Sequence, residues 1–207
     1  MRPLACVAVF LLALPTAHAE VRTWNFRVLL DGRDIGQHRF TVRATGEARE
    51  VLSGARFDVR VLSIPAYRYQ HEARELWEGD CLQSIASRTD ANGERRSVDA
   101  ATRNGRLVVV RPEGSDEHQD CVMSFAYWNP RILEARRLLN GQTGELMPVT
   151  VEPRGEETIE VRGRPALARR HRISGPGLQI NLWYADAHWV ALEAPAAGGR
   201  RLRYALM

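Results

Sequence analysis

Apolar and polar residues alternate along most of this chain, and the alternation constrains the fold more than any other feature. Near the start, Trp24, Phe26 and Val28 are separated by single polar residues. A period of two places successive side chains on opposite faces of a β-strand. The pattern recurs in about twelve short runs. Turn signals separate these runs, and the strongest is the two-residue hairpin signal Asn104-Gly105.

Strands that follow one another without intervening helices favour antiparallel meanders over a parallel α/β sheet. One helix is predicted, because Asn129 is a good N-cap, Pro130 suits the first helical position and Asn140-Gly141 is a stop signal. So many strands rarely stay open and flat. The sequence therefore predicts an all-β, mainly antiparallel fold: a curved sheet, half-barrel or barrel meander with one short α-helix near the middle.

The first 19 residues have the pattern of a secretory signal peptide. Arg2 supplies a positive charge, an apolar run extends from Leu4 to Leu14, and Ala17-His18-Ala19 fits the small-x-small cleavage rule. The run is too short for a membrane-spanning helix, which needs about 20 residues. We therefore expect cleavage after Ala19, export to the periplasm, no later transmembrane segment, and a single β-rich domain over residues 20–207.

Two cysteines, Cys81 and Cys121, lie beyond the predicted leader. In an exported protein, an even number of cysteines most simply forms disulfides. Metal binding and a redox pair are alternatives, although the chain has no C-x-x-C motif. The sequence favours one structural disulfide between the two.

The basic residues are all arginine: the chain has 29 of them, no lysine, and a net charge of +4. They are interleaved with Asp and Glu, which is typical of a solvated surface and not of a nucleic-acid-binding stripe. We expect no nucleic-acid partner. The densest group is Arg169-Arg170-His171-Arg172. Because an arginine fork matches carboxylate and phosphate geometry, Arg170 is a candidate contact for an anionic headgroup.

Several phrases of the sequence resemble a known family. They include Tyr127-Trp128-Asn129-Pro130, Leu182-Trp183-Tyr184 and the closing Leu202-Arg203-Tyr204-Ala205-Leu206. Together they resemble an uncharacterised family of exported bacterial proteins, of the domain of unknown function 6134 type. The resemblance implies an all-β exported protein with a role in the cell envelope or with lipids. It implies no catalytic residue, because the family has none assigned.

Motifs of the common enzyme classes are absent from the sequence. No G-x-S-x-G nucleophile elbow and no phosphate-binding glycine loop occurs. The run from His71 to Glu75 resembles the zinc motif H-E-x-x-H but ends in glutamate, and it lies in a strand pattern. The sequence assigns no catalytic residue, no metal site and no cofactor.

Aromatic side chains offer the better indication of a site. A curved sheet can enclose an apolar cavity for one small ligand, and Tyr and Trp suit its mouth because one end is apolar and the other polar. The alternative is that these residues are ordinary core, with the histidines hydrogen-bonded at a sheet margin. The candidate ligand-binding residues are His38, Tyr67, Tyr69, His71, Trp128, Arg170, Trp183 and Tyr184.

Three functions remain open at this point. The first is an exported protein that binds an apolar or amphiphilic ligand, such as a lipid or fatty acid. The second is an envelope module that binds another protein and has a solid core. The third is a lipid-modifying or hydrolytic enzyme with an unrecognised site. A cavity in the interior would separate the first from the second, since fold class alone does not determine function.

Overall fold

The computed structural model describes residues 19–61 and 64–207. The predicted signal peptide therefore lies outside the described residues except for Ala19. Within the described part, no helix is long and apolar enough to cross a membrane. The strands are β1 (Glu20–Leu30), β2 (Arg33–Thr45), β3 (Ala48–Val61), β4 (Ile64–Glu78), β5 (Cys81–Ala91), β6 (Glu94–Arg103), β7 (Arg106–Arg111), β8 (Gly114–His118), β9 (Arg137–Leu139), β10 (Leu146–Pro148), β11 (Thr150–Val161), β12 (Arg164–Gly175), β13 (Leu178–Ala185), β14 (His188–Ala196) and β15 (Arg200–Leu206).

Thirteen of these strands form one antiparallel sheet, in the order β11-β12-β13-β14-β15-β1-β2-β3-β4-β5-β6-β7-β8. Neighbours in the sheet are neighbours in sequence, except where β15 pairs with β1 and sets Tyr204 opposite Val28. The sheet is curved, with β8 and β11 as its edges, and these edges do not pair with each other in the described chain. The predicted antiparallel, curved all-β fold is confirmed, in a form that does not close into a barrel.

Alternation of the side chains gives the sheet one apolar face. In β1, Phe26 and Val28 are fully buried, whereas Arg27 between them is exposed. The same alternation continues through the other long strands, so that one continuous cluster of apolar side chains covers the inner face. Burial of this surface is the main favourable contribution to folding, at roughly 25 cal/mol per Å² of apolar area.

Residues 119–149, here called the crossing segment, connect the two edges of the sheet across its inner face. At β5, the Leu82 amide donates to the carbonyl of Val122 at 2.8 Å. At β13, the hydroxyl of Tyr184 donates to the carbonyl of Tyr127, also at 2.8 Å. Side chains of the segment, such as the fully buried Ile132, join the core cluster. The crossing segment thus fills the concavity of the sheet.

The predicted α-helix in this region is wrong. Asn129 does cap a turn, since its side chain accepts from the Arg131 amide at 3.0 Å, but the turn is a 3₁₀-helix limited to Pro130–Glu134. A second 3₁₀-helix spans Ala197–Gly199. The chain then becomes extended, because Arg137–Leu139 pairs with Leu146–Pro148 as the β9–β10 hairpin. Tertiary pairing here overrides the local helix signals.

A disulfide joins Cys81 to Cys121, as predicted from the cysteine count. Cys81 begins β5, and Cys121 lies near the start of the crossing segment. The disulfide therefore ties that segment to the sheet, next to the backbone hydrogen bond between Leu82 and Val122.

We expect the Cys81→Ser/Cys121→Ser double variant to lose about 4 kcal/mol of unfolding free energy, the chain-entropy value for a loop of about 40 residues. Urea denaturation of the oxidised wild type and of the variant measures the difference. Reductant should shift the wild type to the midpoint of the variant and leave the variant unchanged. Equal midpoints under oxidising conditions would show that the disulfide does not constrain the unfolded chain.

Candidate functional site

A cavity of about 270 Å³ lies between the crossing segment and the inner face of the sheet. Strands β2–β5 and β13–β15 form one wall, and residues of the crossing segment form the other. Much of the lining is apolar, and it includes Phe40, Val51, Ile85, Ile180, Leu192 and Leu202. Polar lining groups come from β2–β4, where the alternation turns them inward, and from the crossing segment, which contributes Ser124 and Asn140. This combination is typical of a small-molecule site.

The outer face of β2–β5 has a larger but open groove of about 740 Å³. Its floor and sides carry exposed charged residues, including Arg39, Glu72, Arg74 and Arg88. An open charged surface does not remove an apolar ligand from water. We therefore take the inner cavity as the candidate site.

His38 on β2 is hydrogen-bonded on both sides. Its Nδ1 lies 3.2 Å from the hydroxyl oxygen of Tyr204, and its Nε2 lies 2.8 Å from Oγ of Ser53. The ring also stacks on Phe40, with 4.0 Å between ring centroids. Burial, followed by the nearby His71, lowers the pKa of His38 to about 3. The imidazole is therefore neutral near pH 7, so that one ring nitrogen donates and the other accepts.

His71 on β4 is bonded on one side only. Its Nδ1 lies 2.8 Å from Oγ1 of Thr89, the residue directly opposite on β5. Its Nε2 has no hydrogen-bonding partner among the described residues, although the side chain lines the cavity and the residue is only 8% exposed. Burial lowers the pKa of His71 to about 4. The ring is neutral near pH 7 and presents one nitrogen to a ligand.

Glu75, also on β4, holds the crossing segment against the sheet. Its carboxyl group accepts from Nε1 of Trp77 at 2.9 Å and from Oγ of Ser124 at 3.0 Å. Burial raises the pKa of Glu75. This effect outweighs the hydrogen bonds donated by Trp77 and Ser124, which lower the pKa. Both carboxyl oxygens are thereby engaged within the protein.

The distance of 2.8 Å between Oγ of Ser53 and Nε2 of His38 would suit a nucleophile and its base. The groups around this pair, however, differ from those of a catalytic triad. The second nitrogen of His38 meets the phenol of Tyr204 instead of a carboxylate. The nearby carboxyl group of Glu75 is bonded to Trp77 and Ser124. The network around His38 and Glu75 thus differs from a catalytic triad, and in the same lining Nε2 of His71 and Nε1 of Trp128 have no hydrogen-bonding partner among the described residues.

Comparison with known proteins places this chain in a family. The model of a domain of unknown function, DUF6134, matches residues 26–207. The chain belongs to the DUF6134 family. A crystal structure of a β-barrel-like protein of domain of unknown function DUF1849 from Brucella abortus is similar, with a TM-score of 0.65 and 12% sequence identity. That match covers 89% of this chain and 94% of the other, and at such identity it shows a shared fold alone. No curated protein matches the chain.

Four of the residues predicted as ligand contacts line the cavity of this DUF6134 protein: His38, Tyr69, His71 and Trp128. Period-two alternation brings the first three together from two strands, and the crossing segment supplies the fourth. Their role in binding stays a prediction.

The other four predicted contacts lie outside the cavity. Tyr67 is 39% exposed, and Tyr184 is buried with its hydroxyl bound to the crossing-segment backbone. Arg170 stacks over the Trp183 ring at 5.1 Å from its centroid, and Trp183 donates to Glu157 at 2.8 Å. The structure therefore does not place Arg170 where it would meet a headgroup in the cavity. The reason is strand alternation, which turns Arg170 and Trp183 away from the face that carries Leu182.

The sequence analysis missed several polar residues of the lining, among them Ser53, Glu75 and Tyr204. Each lies at an interval of two from apolar residues of its strand, so the same alternation would have placed all three on the inner face. The contact of Tyr204 with His38 carried no local signal, because it depends on the pairing of β15 with β1.

The free energy of unfolding should fall as the pH drops from about 6.5 towards 4. The folded-state pKa values of His71 and His38 lie below the ordinary 6.5, so the unfolded chain binds protons first and stability is lost through this window. The loss from His71 is on the order of 2–3 kcal/mol and is complete near its folded pKa. The raised pKa of Glu75 acts in the opposite direction.

Urea denaturation at several pH values between 7.5 and 4.5 measures this slope. His71→Gln should flatten the slope by its share of one proton. Glu75 is present in both proteins, so its contribution cancels in the comparison. An unchanged slope in His71→Gln would show that His71 titrates normally in the folded protein.

Proposed function

We propose that this protein is an exported binding protein that holds a lipid or another small apolar or amphiphilic molecule in its inner cavity. The cavity itself, apolar on much of its wall and enclosed between sheet and crossing segment, is the observation that carries the proposal. A solid core, as expected for a module that only binds other proteins, would have no such space.

The volume limits what can be buried. At about 30 Å³ for each water-sized group, the cavity of about 270 Å³ accepts about nine non-hydrogen atoms. A small amphiphile of that size fits as a whole. A longer lipid fits by one end only, with the remainder outside.

The apolar part of the lining also supports a ligand. A molecule that packs against this wall removes apolar surface from water, which favours binding by roughly 25 cal/mol per Å² of apolar area.

Export to the periplasm is part of the proposal. It is supported by the signal-peptide pattern of residues 1–19 and by the Cys81–Cys121 disulfide, since disulfides persist in oxidising compartments.

Native mass spectrometry of protein purified from the periplasm of a bacterial host tests the proposal. We expect a stoichiometric added mass that solvent extraction removes, together with an extracted lipid or other amphiphile. Ala194→Leu puts additional atoms into the cavity at a partly buried strand position. An overlap of about 1–3 kcal/mol should weaken the affinity about fivefold or more and so reduce the added mass.

Ala86→Leu is the matched control, because Ala86 is exposed on β5 and borders the outer groove. It should retain the added mass. Loss of the ligand in Ala86→Leu but not in Ala194→Leu would move the site to the outer face. A bare protein mass, with no amphiphile bound on later addition, would overturn the proposal and favour the protein-interaction module.

A further inference from the structure

Two polar atoms of the cavity lining, Nε1 of Trp128, which is fully buried, and Nε2 of His71, which a molecule in the cavity can reach, lack a hydrogen-bonding partner among the described residues. Both nitrogens of His38 are engaged, as are both carboxyl oxygens of Glu75. Nε2 of His71 has no partner among the described residues, and the residue is more than nine-tenths buried. Nε2 of His71 is therefore placed to hydrogen-bond to a molecule in the cavity. One such hydrogen bond contributes about 0.5–1.5 kcal/mol to binding.

The charges around the cavity disfavour an anion. Although the chain has 29 arginines, none of them lines the cavity within the described parts of the chain. Arg49 approaches the ring of Trp128, at 5.9 Å from its centroid, but its guanidinium donates to the carbonyl of Gly79. Glu75 is the ionisable carboxyl group in the lining. A buried carboxylate in the ligand would meet no compensating cation, which makes its burial expensive.

We propose that the cavity selects uncharged amphiphiles whose hydroxyl group hydrogen-bonds to Nε2 of His71, and that it rejects carboxylates. This inference rests on the proposed ligand-binding function and narrows its ligand class. A neutral imidazole donates from one nitrogen and accepts at the other, and a hydroxyl group satisfies Nε2 in either tautomer. The low pKa of His71 keeps the ring neutral at physiological pH. A fatty acid enters by this route only in its protonated form.

Three probes with eight carbon atoms each test the selectivity: 1-octanol, octanoate and octylammonium. The alcohol has about nine non-hydrogen atoms, which matches the cavity. Isothermal titration calorimetry at pH 7.5 should show 1-octanol binding at least tenfold more tightly than either ion. Octanoate binding as tightly as the alcohol would overturn the inference. Preference for octylammonium would also overturn it and make Glu75 the anchor.

His71→Phe keeps an aromatic ring but removes both nitrogens. It should weaken 1-octanol binding about fivefold, the size expected for one net hydrogen bond, and reduce the preference over octanoate. His71→Gln, whose side chain carries a polar group near the position of Nε2, should recover part of both. His188→Phe, at the exposed first residue of β14, should change neither. Unchanged selectivity in a folded His71→Phe protein would contradict the role of His71.

If His71→Phe does not fold, a measurement on the wild type tests the same contact between the ligand and Nε2 of His71. With ¹⁵N-labelled histidine, 1-octanol should shift the Nε2 resonance of His71 more than any resonance of His188. Binding without that shift would overturn the inference while leaving the binding function intact. If none of the three probes binds and no amphiphile copurifies, the proposed function itself fails.

Discussion

The rest of the structure depends on covering the inner face of an unusually long antiparallel sheet. A sheet with one apolar face is stable only when something packs on that face. Here the edges β8 and β11 do not pair, and the crossing segment that connects them provides the cover. Ile132, Leu138 and Leu139 supply its fully buried apolar contacts. The disulfide at Cys121 and the hydrogen bond from Ser124 to Glu75 fix its position.

The cavity is a consequence of this arrangement, because an irregular segment cannot match every side chain of a regular sheet.

The outer face of β2–β4 carries exposed ion pairs instead of an apolar layer. Arg43 and Arg74 both contact Glu50, at 3.1 and 2.8 Å, and hold the pKa of Glu50 below its ordinary value. Exposed pairs of this kind contribute little to stability. Arg43 and Arg74 therefore keep the outer face of β2–β4 solvated, while burial on the inner face stabilises the fold and leaves the cavity lining without arginine.

Alternation was sufficient to predict the strands, because period two is a local property of the sequence. Phe26, His38 and His71 were placed on the correct face in this way. Applied to β12 and β13, alternation places Arg170 and Trp183 on the outer face. Their prediction as ligand contacts rested on the chemistry of their side chains and not on this alternation. The helix after Asn129 was predicted from local signals that the β9–β10 pairing overrides. Which strands meet across the cavity depends on β15 pairing with β1, a long-range contact that no local pattern contains.

The polar residues of the cavity are the strongest argument that it has a use. Fold stability alone does not require them, since replacing a buried polar network by apolar residues of similar volume is often neutral or stabilising. His38 is accounted for structurally, because Ser53 and Tyr204 satisfy both its nitrogens. His71 is not, because Thr89 satisfies only Nδ1. An apolar residue at position 71 would pack against the same neighbours without an unpaired nitrogen. Nε2 of His71 is thus an accessible polar atom of the cavity that the packing of the fold does not account for.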